Sequence, residues 1–584
     1  MAKKIVNTQK VISIVDDDPD YVSSTKLMLE KSSYKCDCVY SAKEFLESVK
    51  EVKPDLIILD IMMETDVSGL EVVNKLRNPN RNSEYYSCSK IPILIVTSIQ
   101  KVMEMNISEI AGTKLLPVDG FIEKPVTLET LLSKVNALTK TVSLEELLSK
   151  AQKPSEDAMK LHPFYHGKLS VIPKCCIRNF DDFAIWYTPG VASPCKDIYE
   201  NPEKVYEHTN KSNFVAIVSD GTRVLGLGNI GPEAGLPVME GKAILFKYLG
   251  GVDAFPICLN AHKPDEIITA CKWLTPTFGG INLEDIAKPK CFYILDTLRE
   301  ELEIPVWHDD QQGTAAITLA GLINALKVVG KSKEEVKISM IGVGASNIAI
   351  SRIMIAAGFP PENIFMVDTK GILHKDRDDL RTPENKEKWK MCELSNKEGR
   401  KGGIQEAIRG TDVCIALCKS GPGVIKQEWI ASMADDAIVF VCANPVPEIW
   451  PWEAKEAGAR IVATGRSDFP NQVNNSLGFP GIFRGTLDVM AKTITDEMCI
   501  AAAYELAKFA EDKGLFEEYI IPKMNEFEVF PREAVAVGMK AIEQGIAKVK
   551  MSKEELYKKS STMIRKARAE VDSLMNQGFI ELPS

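Results

Sequence analysis

Apolar runs recur at short intervals through the first 138 residues: VISIV from Val11, then DLIILD, IPILIVTS and GFIEKPV. Stretches with helical spacing, such as Glu44–Val52 and Leu128–Leu138, lie between them. Continuous apolar runs alternating with amphipathic helices are the pattern of a parallel sheet covered on both faces. Residues 1–138 therefore predict a small doubly wound α/β domain. The segment TKTVSLEELLSKAQKPSEDAMK, residues 139–160, is polar apart from one short amphipathic turn and predicts a linker. A second α/β unit follows over 161–331. A third, over 332–486, opens with KISMIGVG and shows strand, glycine turn, helix and strand in order. The stretch 487–584 reads almost entirely as helix.

Composition narrows the class. The chain has 584 residues, and at roughly 100 to 200 residues per domain that length predicts about three to five domains. Hydrophobic residues are 45% and charged residues 26%, the balance of a globular protein and not of a disordered or fibrous one. A net charge of −10 disfavours nucleic acid as a partner. The 14 cysteines contain no CxxC spacing, and Cys175 and Cys176 are adjacent, so a reducing compartment and no zinc site are expected. The start lacks the form of a signal peptide, with Asp16, Asp17 and Asp18 closing its first apolar run, and no unbroken apolar run reaches the roughly 18 residues of a membrane span. A cytoplasmic protein without membrane contact is expected.

Ligands of parallel sheets gather at the carboxyl ends of the strands. The first four runs deliver Asp16 and Asp17, then Asp60, Thr97 and Lys124 to that edge. Carboxylates so placed repel one another unless a divalent cation that prefers oxygen, such as Mg²⁺, sits among them. Thr97 could donate to a phosphoryl oxygen on Asp60, and Lys124 could pair with its charge. Each residue alone would read as solvated, but the set predicts a phosphoacceptor pocket. The motifs VDDDP, LDIMM, IVTS and EKP resemble those of a bacterial response-regulator receiver domain, of flavodoxin-like fold, over residues 5–138. The resemblance implies that Asp60 is the phosphoacceptor, that Asp16, Asp17 and Asp60 hold Mg²⁺, and that Thr97, Phe121 and Lys124 form the switch. It also implies a cognate histidine kinase or a small phosphodonor as partner. Glu64 stands where the family carries Pro, and Gly69 comes one residue later than its pattern.

A dinucleotide site needs a strand, a tight glycine turn and a helix aimed at the pyrophosphate. Two stretches compete. GLGNIG carries Gly226, Gly228 and Gly231, but Pro232, Glu233 and Gly235 follow where a helix should begin, and Asp253 downstream precedes a strand. GVGASN follows the strand KISMI and precedes a helix, and the next strand ends at Asp368, placed for ribose hydroxyls. The second is read as the turn of a Rossmann-type domain, with Gly342, Gly344 and Ser346 as cofactor contacts and Asn347 in place of the third glycine.

Glu284 and Asp285 in INLEDIA, with Asp309 and Asp310 in VWHDDQQGT, are hard carboxylates suited to Mg²⁺ or Mn²⁺. Taken alone, an Asp pair before a helix is more often an N-cap. Tyr187 precedes Thr188 and Pro189, which read as an N-cap and first helical turn; a buried structural tyrosine is the plain alternative. Lys242 reads as the start of an apolar helix, where the dipole would lower its pKa and free a neutral amine, against the alternative of a solvated lysine. Arg223 follows an Asp220-Gly221 hairpin turn.

In the order YTPGVA, GLGNIG, EGKA, LED, HDDQQGTA, GVGA, ANP, TGRSDFPNQVNN and FPGIFRG, these motifs closely resemble the malic enzymes of bacterial short type, from about His162 onwards. The resemblance implies oxidative decarboxylation of (S)-malate to pyruvate and CO₂, with reduction of NAD⁺ or NADP⁺. It implies that Glu284, Asp285 and Asp310 bind Mg²⁺ or Mn²⁺, that Lys242 takes the hydroxyl proton, that Tyr187 protonates the enol carbon, and that Asp309 orients these groups. Arg223 and Asn475 would contact substrate, and Asn444 the nicotinamide ribose and substrate. Asp368 favours NAD, while Lys370, Lys375 and Arg377 leave NADP open. At least a homodimer is implied.

The whole predicts an α/β chain: a receiver, then a two-domain malic enzyme with a substrate domain, a Rossmann-type NAD(P) domain and C-terminal helices, its activity set by phosphorylation of Asp60. A catalytically silent metabolite sensor is one alternative. Another is malate-to-lactate or oxaloacetate decarboxylase chemistry.

Overall fold

The computed structural model describes residues 10–65, 68–78, 83–98, 101–102, 105–106, 116–139 and 144–583. Two compact units divide the chain, Met1–Pro154 and Ser155–Ser584.

In the first unit the apolar runs become β1 (Val11–Val15), β3 (Leu56–Leu59), β4 (Ile93–Thr97) and β7 (Gly120–Glu123). They join β2 (Lys35–Val39) in one parallel sheet of order β2-β1-β3-β4-β7. The run KCDCV of β2 has no apolar stripe because it is a half-exposed edge strand, and so the hydrophobic pattern passes over it. A short antiparallel pair, β5 (Lys101–Val102) and β6 (Met105–Asn106), stands apart from the sheet. Residues 5–9 of the expected receiver lie outside the described residues.

The expected linker is largely a helix, Leu144–Tyr165, while residues 140–143 lie outside the described residues. Its sequence is too polar to show a buried stripe, the signal by which a helix is read.

Two sheets build the second unit. The first holds β8 (Phe214–Ser219), β9 (Asp253–Cys258), β10 (Gly280–Leu283) and β11 (Val306–His308) in the parallel order β11-β10-β8-β9. The second holds β12 (Ile338–Ile341), β13 (Ile364–Asp368), β14 (Gly371–Ile372), β15 (Val413–Ala416), β16 (Ile438–Val441) and β17 (Ile461–Thr464). Its order is β14-β13-β12-β15-β16-β17, with β14 alone antiparallel, so the strand order reverses at β12. The helix Thr314–Val329 lies in the core between them, and one apolar cluster runs from Val215 and Ile217 through Ile338 and Phe440 to Phe530 in the C-terminal helices. By length and hydropathy Asp309–Val329 would pass for a membrane span, yet 78% of its most apolar window is buried inside the fold.

The C-terminal region contains the helices Asp496–Lys513, Val529–Glu543 and Lys553–Asn576, with non-helical connections between them. The expected boundary at 486 falls inside the helix Phe479–Asp488.

Candidate active site

Parallel pairing of β10 with β11 sets Leu283 beside His308, so the residues that follow each strand emerge side by side. Glu284 and Asp285 leave one strand, Asp309 and Asp310 the other. Asp309–Gly313 forms a single π-helical turn ahead of Thr314–Val329, a distortion that recurs at functional sites. The Asp pair is thus within a helical turn and is not an N-cap; His308 holds that position. A methyl group on Gly313 would meet Asp309 Oδ1 at 2.0 Å and Asn475 Cβ at 3.2 Å, so glycine there lets the turn close and brings Asn475 to the same place.

Carboxylate oxygens of Glu284, Asp285 and Asp310, the three residues expected to hold a metal, lie within 4.8 Å of one another. Asp285 adopts a left-handed backbone conformation, φ 53°, and its Oδ2 is buried without a hydrogen-bond partner. Burial drives the carboxyls of Glu284 and Asp285 well above the usual carboxylate range; Lys242 opposes this and Asp310 adds to it. An all-oxygen set so crowded, with an orphaned buried oxygen, fits a divalent cation such as Mg²⁺ or Mn²⁺.

Lys242 sits in the middle of the helix Pro232–Gly250 and not at its start. The helix begins earlier because Pro232 occupies its first turn, where a missing N–H costs nothing. The expected dipole effect is therefore absent. Lys242 bonds Asp309 and lies 2.7 Å from Glu284 Oε1. Burial works against its charge, but Asp309, Glu284 and Asp310 outweigh that and push its pKa up, the reverse of the expected direction. Trp307, which sequence reading missed, donates from Nε1 to Asp309 Oδ1 at 3.1 Å and fixes that carboxylate.

The same early helix start corrects the reading of GLGNIG: a helix does follow it. The loop nevertheless serves another purpose. A methyl on Gly226 would meet the Asn444 carbonyl oxygen at 2.3 Å, so this glycine admits the loop after β16 against the loop after β8. Arg223 is exposed and donates to the Leu225 carbonyl, and its amide donates to Asp285 O at 2.9 Å. Gly221 turns the chain at φ 66°, but β8 has only parallel neighbours, so no hairpin forms.

Tyr187 is 72% exposed and makes no hydrogen bond to the Lys242 cluster among the described residues. The helix expected at Thr188 begins at Ala192, because residues 187–191 form successive turns.

Gly342, φ 97°, and Gly344 lie between β12 and the helix Ala345–Ala356, with half-buried Ser346 in its first turn. Asn347, in place of the third glycine, ties this turn, donating to Ile341 O at 3.0 Å and Gly342 O at 2.8 Å. Lys288, also missed, reaches from the loop after β10 to donate to Val343 O at 2.7 Å. Asp368 ends β13 as expected. Arg377 grips both of its oxygens at 3.1 Å and Lys388 lies 3.2 Å away. Burial opposes its charge, but Arg377, the Lys370 amide and Lys388 hold the carboxyl below its usual range. Neither Lys388 nor its pairing was read from the sequence.

In the first unit, Lys124 Nζ bonds Asp60 Oδ2 at 2.6 Å and Asp16 Oδ2 at 2.7 Å. Asp16 and Asp60 are buried and Asp17 is exposed at the same edge. Thr97 ends β4, buried, and Phe121 packs half-buried against the core from β7. A methyl on Gly69 would meet Asp60 O at 2.1 Å, so the displaced glycine still makes the close approach to the Asp60 turn.

Residues 12–136 match the response regulator receiver domain, 166–299 the malic enzyme N-terminal domain and 311–542 the malic enzyme NAD binding domain. The bifunctional malic/malolactic enzyme of Bacillus subtilis is 49% identical over 405 residues, 69% of this chain and 97% of that one. The NAD-dependent malic enzyme of Geobacillus stearothermophilus is 50% identical over 382 residues, 65% of this chain and 78% of that one. The crystal structure of Entamoeba histolytica malic enzyme superposes with a TM-score of 0.75 at 47% identity, covering 78% of this chain and 96% of that one. The chain therefore belongs to the malic enzyme family, as an NAD(P)-dependent oxidoreductase with a response regulator receiver domain ahead of its two malic enzyme domains.

Proposed function

We propose that the chain oxidises and decarboxylates (S)-malate to pyruvate and CO₂, reducing NAD⁺ in preference to NADP⁺, and does so with Mg²⁺ or Mn²⁺ held by Glu284, Asp285 and Asp310. The observation that carries this reading is the buried contact of Lys242 with Asp309 and Glu284 beside that carboxylate trio. When bound, the dinucleotide supplies a two-electron acceptor and the divalent ion supplies Lewis acidity toward the C2 oxygen. Lys242 first passes its ammonium proton to Asp309 and, as the neutral amine, takes the C2 hydroxyl proton; Trp307 keeps Asp309 in place. Arg223, Asn444 and Asn475 orient the substrate carboxylates. Tyr187 returns a proton to C3 of the enol left by loss of CO₂.

The preference for NAD⁺ follows from Asp368, which would accept from the ribose 2′-hydroxyl while its ion pairs keep Arg377 and Lys388 from a 2′-phosphate. The family includes both NAD- and NADP-dependent members among its relatives. Several large apolar side chains on the segment around Tyr187 face solvent, among them Val171 at 82%, Phe180 at 89% and Tyr199 at 88%. An apolar patch of this kind calls for cover, and a homo-oligomer supplies it. We place the protein in the cytoplasm, with a histidine kinase or a small acyl phosphate as phosphodonor to Asp60 and phosphorylation setting the rate.

A relative named as bifunctional malic/malolactic enzyme favours one second reading, conversion of malate to lactate. Product analysis separates the two. Pyruvate and reduced cofactor formed in equal amounts support the first; lactate without net reduced cofactor supports the second.

A further inference from the structure

The chain runs from Asn444 through Pro445, Val446 and Pro447 to Glu448, which is fully buried and takes no part in the steps above. Its two oxygens serve two different loops. Oε1 accepts from the Cys418 amide at 3.0 Å and lies 3.7 Å from the Cys418 thiol, while Oε2 accepts from the Ala443 amide at 3.2 Å. Cys418 belongs to the loop after β15 and Ala443 to the loop after β16. Ser420 ties the same loops again, donating to Val446 O at 3.0 Å and accepting from the Val446 amide at 3.1 Å.

In a doubly wound sheet a dinucleotide crosses the switch strand, here β12, with its adenosine toward β13 and its nicotinamide half toward β15 and β16. The Cys418 loop closes on the pyrophosphate turn, since a methyl on Gly342 would meet Leu417 O at 2.7 Å and Cys418 Cβ at 2.9 Å. We propose that Glu448 is a positioning residue that bridges the Cys418 and Ala443 amides and so holds together the two loops that receive the nicotinamide half. This inference rests on the reading of the chain as a dinucleotide-dependent enzyme.

A carboxylate suits the task because two acceptor oxygens face two N–H groups, whereas a side-chain amide would turn a donor toward one of them. Burial raises the Glu448 carboxyl to about 7, with the Cys418 and Ala443 amides pulling it back. The titratable groups facing it are the thiols of Cys414, Cys418 and Cys442, all pushed up by burial and therefore uncharged. Above that pH both oxygens accept. Below it one oxygen carries a proton and releases a loop.

The test is NADH binding, read by NADH fluorescence between about pH 6 and 9 without malate or metal, in the full chain and in Glu448→Gln. Wild-type affinity should fall about tenfold from the alkaline to the acidic end, the effect of losing one hydrogen bond to a charged group. The variant should bind NADH about tenfold more weakly at the alkaline end and show no such pH dependence. AMP, which carries only the adenosine half, should bind both proteins equally. Glu448→Asp, one methylene shorter, should reach one loop and give an intermediate affinity, and it carries the test if the Gln variant does not fold. Parallel pH curves for wild type and variant, or equal losses of NADH and AMP affinity, would overturn the proposal. Wild-type protein that binds NADH as expected but does not oxidise malate would sink the catalytic reading and leave this one standing.

Discussion

Lys242 Nζ lies 2.7 Å from Glu284 Oε1, so the proposed base touches a proposed metal ligand. Proton transfer and metal binding are thereby joined in one buried cluster. Glu284→Gln keeps the side chain's size and removes its charge. Mn²⁺ affinity, read from the Mn²⁺ electron paramagnetic resonance signal, should fall by more than about 10- to 100-fold, the cost already seen for outer partners of metal ligands. Unchanged Mn²⁺ affinity would remove Glu284 from the metal set.

Asp368 holds Arg377 and Lys388 in ion pairs at the end of β13, where the proposed function puts the ribose. Removing the carboxylate frees both cations to meet a 2′-phosphate. Asp368→Ala should therefore shift the ratio of kcat/KM for NADP⁺ over NAD⁺ upward by about tenfold or more, one strong contact's worth. A ratio equal to that of wild type would mean that cofactor choice is made elsewhere.

Lys124 bridges Asp60 and Asp16, and a phosphoryl group on Asp60 would compete for that cation. If the receiver sets the rate, a coupling of about 1–3 kcal/mol corresponds to roughly 5- to 150-fold in activity. An acyl-phosphate donor should change malate oxidation within that range in wild type and not in Asp60→Asn. Equal rates in enzyme shown by mass to be phosphorylated would refute the regulatory role.

Gly485 explains part of the FPGIFRG motif without catalysis. A methyl there would meet the Ala534 carbonyl oxygen at 2.1 Å, where the helix Phe479–Asp488 crosses Val529–Glu543. Gly485→Ala should destabilise the second unit by about 1–3 kcal/mol through overpacking. Its Tm should fall while activity per folded molecule stays the same; an unchanged Tm would show that the helices separate at little cost.

Strands buried on both faces were legible from the sequence because each is an uninterrupted apolar run, whereas β2 was not, since all of its residues but Val39 meet solvent. The carboxylates could be named individually, but their meeting depends on the β10–β11 register, which joins segments distant in the chain. Lys242 was placed at a helix start, but the helix runs from Pro232 with Pro237 inside it; packing of Pro232–Gly250 against the core overrides the local preference of that proline. Chain pattern could nominate Tyr187 but not its surroundings, and its exposure is a property of the fold. Glu448 escaped notice because a lone Glu after a Pro-rich turn has no pattern; only its two amide partners reveal it.

In the proposed reaction Lys242, beside the carboxylate trio, carries malate oxidation. The most direct test follows absorbance of the reduced nicotinamide with malate and Mn²⁺, using NAD⁺ and NADP⁺ in turn, for wild type and Lys242→Ala. Reduction that requires both malate and metal, is faster with NAD⁺, and falls by about 10²- to 10⁴-fold in the variant is the predicted result. No reduction by wild type with either cofactor, or a variant as fast as wild type, would contradict it.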